Sequence, residues 1–81
     1  MFLSTQEVRN LGKQYFNNVA VCTDKTTPND PKRRSVVFRD YDPSSAVALR
    51  DFFANKFAEL GVQNTVKLTQ DCYVRVIAYM P

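Results

Sequence analysis

Histidine and tryptophan are absent from this 81-residue chain, and glycine occurs only at Gly12 and Gly61 and cysteine only at Cys22 and Cys72. Without histidine the commonest general acid or base is missing, and the carboxylates are scattered. Cys22 and Cys72 form no CxxC and have no histidine beside them, which argues against a local zinc site, a redox motif or an activated thiol. Their strand parity matches that of core residues, so the expectation is two buried free thiols, with a disulfide between adjacent strands as the alternative. Two isolated glycines cannot build a phosphate-cradling loop. No apolar run approaches the roughly 20 residues of a membrane span, and no basic segment followed by an apolar stretch opens the chain. The expectation is a single soluble domain, residues 1–81, in the cytoplasm, or in the host cytoplasm if the chain is phage-encoded. Neither enzyme activity nor a cofactor or metal is expected.

What is present begins with two well-specified helices. Asp42 followed by Pro43 is an N-cap and first-turn pair, and Gly61 supplies the left-handed residue that closes a helix, with Val62 placed to fold back on Phe57. Between them Ala46, Leu49, Phe53, Phe57 and Leu60 fall on one stripe, with Phe52 at its edge. This assigns Asp42, Ser44 and Ser45 to helix initiation and leaves Asp40-x-Asp42 a weak metal signal. Near the start, Ser4 and Glu7 match a capping box and Leu3 with Val8 a hydrophobic staple, predicting a helix from Thr5 to about Phe16. Gly12 interrupts its apolar face at about 1 kcal/mol relative to alanine, which suggests the close approach of another element.

The remaining segments read as strands. Val19 to Thr23 and Ser35 to Asp40 form a long-looped hairpin around the proline-containing, polar segment 24–34, expected to be a mobile loop. Thr65 to Thr69 and Cys72 to Met80 form a second hairpin turning at Gln70-Asp71. The fold class expected is α+β: two layers, in the order α-β-β-α-β-β, with a four-stranded antiparallel or mixed sheet and the helix over about 43–60 packed on one face.

The last strand separates two faces. Val74, Val76, Ala78 and Met80 are its apolar set, while Tyr73, Arg75 and Tyr79 lie on the other side with Ile77, where Lys67 and Arg39 can join them. Tyrosines interleaved with cations can stack bases and neutralise phosphates. The alternative is that Ile77 and the rings pack under the N-terminal helix, with Arg75 snorkelling to its edge. The formal charge of +3 lies in residues 1–41, where seven Lys/Arg face four Asp/Glu, against four and four in residues 42–81. Its focus is Lys32-Arg33-Arg34, suited to phosphates or an acidic protein surface, or simply to a solvated strand entry.

Arg34 to Phe38, followed by Asp40, Asp42 and the alanine-containing helix, is similar to the third strand and second helix of an RNA-recognition motif. Ser35, Val36 and Val37 stand where that family's signature has aromatics and glycine, and no strand with a signature aromatic precedes the first helix. The similarity amounts to shared strand-helix grammar.

Two functions remain. The first is a small protein-binding module that docks on a larger protein and modulates or inhibits it, a size class common among phage and mobile-element accessory proteins. The exposed Val47, Ala54 and Ala58 stripe would allow a homodimer. The second is a single-stranded nucleic-acid binder. Lys32, Arg33, Arg34, Arg39, Lys67, Tyr73, Arg75 and Tyr79 are the candidate contact residues for either partner.

Overall fold

The computed structural model describes residues 1–15, 21–27, 29–39, 42–71 and 73–80; for residues 21–27 and Pro31 it describes only the course of the backbone. Helix α1 spans Thr5–Tyr15 and α2 spans Pro43–Leu60. Both begin as their cap residues dictate. The Glu7 backbone N–H donates to Ser4 Oγ at 3.2 Å, and the Ser4 N–H donates back to Glu7 Oε1 at 3.4 Å. The Ser44 N–H donates to Asp42 Oδ1 at 3.0 Å, and the Ser45 hydroxyl to Asp42 Oδ2 at 3.2 Å. Helix α2 ends in a Schellman motif: Gly61 has φ of 66°, its N–H donates to the Ala58 carbonyl, and the Val62 N–H donates to that of Phe57.

Strands β1 (Val21–Thr27), β2 (Asp30–Arg39), β3 (Val66–Leu68) and β4 (Tyr73–Tyr79) lie in the spatial order β1-β2-β4-β3, every pair antiparallel. The expected α-β-β-α-β-β domain with a four-stranded layer under the central helix is corrected. The layer that carries the helices is a three-stranded antiparallel sheet, β2-β4-β3: α1 packs on β2 and β4, and α2 on β3 and β4. Strand β1 is an outer strand whose pairing is to β2 alone. No two of the described strands pair in parallel, so the mixed alternative is also removed.

The segment 24–34 is not the expected mobile loop. Tertiary pairing overrides its polar, proline-containing composition, because the first half of β2 is held on the end of β4. Arg33 pairs with Tyr79, Arg34 with Ala78, and the Met80 N–H donates to the Lys32 carbonyl at 2.8 Å. The ribbon closes at Thr27 opposite Asp30, and a register irregularity at Thr26 and Thr27 absorbs the extra residues of β2. Strand β3 is shorter than predicted, with three residues.

Alternation along β2 and β4 sends Val36, Phe38, Val74, Val76 and Ala78 to one face, all buried. Both helices cover that same face. Leu3 and Val8 from the N-terminal region join Ala46, Leu49, Phe53 and Phe57 from α2 in one core cluster. Phe38 is its centre: its ring centroid is 5.2 Å from that of Phe53, and its edge presses on Gly12 of α1. Two expected core residues are outside. Leu60 is 48% exposed, because α2 runs on past the short β3, and Met80 is 46% exposed, beyond the end of β4.

The N-terminal segment is fastened by a buried asparagine in the connection between α2 and β3. Asn64 Oδ1 accepts from the Leu3 N–H at 2.7 Å, and its Nδ2 donates to the carbonyls of Leu3 at 3.0 Å and Ile77 at 2.9 Å. With the Gln63 N–H donating to the Met1 carbonyl and Ser4 bridging in parallel to Tyr79, residues 1–4 extend the sheet edge beyond β3. The cysteine side chains and Asp40 lie outside the described residues, so the buried-thiol, disulfide and Asp40-x-Asp42 readings fall there too.

Candidate functional site

Because α1 and α2 share one face, the other face of the sheet carries neither of them. The alternative that put Tyr73, Ile77 and Tyr79 under the N-terminal helix is overturned: α1 is committed to the core side through Val8 and Gly12. Strand register fixes what lies where. Lys67 stands opposite Arg75, which stands opposite Val37; Arg39 pairs with Tyr73, Ser35 with Ile77, and Arg33 with Tyr79. The alternating burial of β4, with Val74, Val76 and Ala78 buried between the others, shows that these partners share the open face.

Six of the candidate residues therefore come together: Arg33, Arg39, Lys67, Tyr73, Arg75 and Tyr79. Lys32 and Arg34 are separated from them by the pleat. Arg34 shares the parity of buried Val36, and Lys32 is exposed one pleat further along. Neither they nor Arg33 belong to a loop, as the sequence suggested; all three are in β2.

Among the paired positions just named the charge is one-signed. None of the paired positions just named carries a carboxylate. Of the four acids of the second half of the chain, Asp51 pairs with Arg50 at 2.9 Å, Glu59 with Lys56 at 3.8 Å and Asp42 caps α2, while Asp71 is exposed in the turn between β3 and β4. Lys67 and Arg75 are left as directly opposed, exposed like charges with no ion-pair partner among the described residues. Such a cross-strand pair is unfavourable by a few tenths of a kcal/mol up to about 1 kcal/mol. An anion between the two would reverse that sign.

The aromatic groups flank this charge. The Arg39 guanidinium carbon lies 5.5 Å from the Tyr73 ring centroid, within cation-π range. At the other end Phe2, reaching across from the N-terminal segment, places its ring centroid 4.3 Å from that of Tyr79. Sequence reasoning missed Phe2, Val37 and Asn64, and it placed Ile77 on this side of β4 without making it a candidate contact. Phe2 precedes every predicted element, and the parallel bridge of Ser4 to Tyr79, with the hydrogen bonds that join Asn64, Gln63 and Tyr79 to residues 1–3, brings it to this face.

A second concavity runs between α1 and the end of α2, lined by Leu3, Glu7, Asn10, Leu11, Gln14 and Leu60. Among the described residues no three His, Cys, Asp or Glu side chains are grouped to hold a metal ion, and no helix is long and apolar enough to cross a membrane. Comparison with protein-family models, with curated proteins and with solved structures finds no match.

Proposed function

We propose that this protein is a binding module, not an enzyme, and that the open face of its sheet takes a single-stranded nucleic acid. The observation that carries the proposal is the composition of that face: Arg33, Arg39, Lys67 and Arg75 surround Tyr73 and Tyr79, without a carboxylate among their paired neighbours. Cations along a sheet neutralise phosphates, and rings and guanidinium planes accept bases on their faces, whatever the sequence.

Fluorescence anisotropy with a labelled single-stranded oligonucleotide tests this. Binding should weaken as salt rises, with a log-log slope of about −3 if all four cations release counterions. Arg75→Ala and Lys67→Ala should each make the slope shallower while leaving the melting curve intact. Undetectable binding at low salt disposes of the proposal.

The second reading is a larger protein docked on the same face, which this module would modulate or inhibit. Half-buried Val37 and Ile77 favour it, since they give the face an apolar centre ringed by arginine and tyrosine, the residue types that anchor protein interfaces. Its mark is one stoichiometric protein retained after nuclease treatment and lost with Ile77→Asp.

A further inference from the structure

We infer that the open face is divided into a phosphate end, Lys67 with Arg75 and Arg39, and a base-stacking end, Phe2 with Tyr79. On this inference, the N-terminal segment supplies part of the ligand site. This rests on the nucleic-acid proposal and adds to it the ligand's division of labour and a contact residue outside the sheet strands.

Three observations carry it. The cations Lys67 and Arg75 are opposed without an ion-pair partner among the described residues, and Arg39 is on the neighbouring pair of positions, so their fields converge at one end of β4. At Tyr79, four residues or about 13 Å along β4 from Arg75 and six residues or about 20 Å from the Arg39–Tyr73 pair at the rise of a strand, the only described cation among the paired positions is Arg33, and the dominant groups are two rings. Phe2 is 41% exposed although it is a large apolar side chain anchored in place. Its neighbour Leu3 is buried and doubly hydrogen-bonded to Asn64, so the backbone that presents Phe2 is fixed while its ring remains open to solvent. A preorganised, solvent-facing ring beside a second ring is a stacking platform whose ordering cost has already been met in the fold.

Binding is compared for two ligands of equal length and phosphate number, a single-stranded oligonucleotide of about eight nucleotides and its fully abasic counterpart. The native protein should prefer the base-bearing strand by about tenfold or more, the effect of one stacked base. Phe2→Ala should remove most of that preference without weakening the abasic ligand, and Phe2→Trp should restore it. Lys67→Ala and Arg75→Ala should weaken both ligands in parallel and keep the preference. The inference is overturned if the native protein does not distinguish the two strands, or if Phe2→Ala weakens both equally while melting normally. Oligonucleotide binding that survives in either case leaves the proposed function standing. Loss of all binding in the native protein removes both.

Discussion

A Cβ built on Gly12 would lie 2.2 Å from Cε1 and 2.6 Å from Cζ of Phe38, so the first helix and the central ring of the core meet where only a hydrogen fits. The ring cannot retreat, because Phe53 stands on it from α2. The helix-weakening glycine is thus a packing requirement imposed by another element.

Gly12→Ala should therefore destabilise the fold despite alanine's better helix propensity. Overpacking costs about 1–3 kcal/mol, and the propensity gain returns about 1 kcal/mol. Urea denaturation should show a lower midpoint, and Phe38→Leu combined with Gly12→Ala should recover part of the loss relative to the sum of the two single changes.

Gly61→Ala tests the other glycine, for a different reason. Nothing lies within 4 Å of a Cβ there, so sterics with neighbours are irrelevant, and the cost is that of placing alanine at a φ of 66°. A loss of about 1–2 kcal/mol is expected, read as a fall in melting temperature.

Asn64→Leu should be the most damaging single polar change among the described residues. It strands the Leu3 N–H and the Ile77 carbonyl, at about 1–3 kcal/mol for each group left buried without a partner, and leaves the Leu3 carbonyl with only the 3.4 Å bond from the Tyr79 N–H. Hydrogen exchange should show the amides of residues 2–4 opening, and limited proteolysis should cut there before it cuts α2.

Lys67→Glu should separate stability from binding. Replacing a like charge opposite Arg75 by an unlike one should raise stability by up to about 1 kcal/mol at low salt. Oligonucleotide affinity should fall at the same time. A variant that is both less stable and unchanged in binding would contradict the role given to this pair.

The helix ends were legible in the sequence because each depends on residues within one turn: Ser4 with Glu7, Asp42 with Ser44, Gly61 with Phe57. The approach at Gly12 was legible as a question, though not which residue answers it. The candidate face was half legible, since period-2 alternation in β4 sorts Tyr73, Arg75 and Tyr79 to one side but says nothing about where α1 packs. What could not be read depends on distant pairing. Asn64 looks like an ordinary polar loop residue until Leu3 and Ile77 arrive beside it. The segment 24–34 carries turn-forming residues, and only the end of β4 makes strand of its second half. Leu60 fits the apolar stripe of α2, yet it stays 48% exposed at the rim of the concavity beside α1.

The order β1-β2-β4-β3 places β4 between two earlier strands that do not pair with each other. Until β4 is present, the β1-β2 ribbon and the α2-β3 unit have no strand pairing in common, and Asn64 and Leu3 lack the Ile77 and Tyr79 backbone groups that join them to the sheet. A nascent chain can therefore form its two capped helices and one ribbon early, but it cannot close its core before β4 has emerged. Cooperative folding of the whole chain, with little partially assembled structure to persist, is the outcome built into where β4 sits.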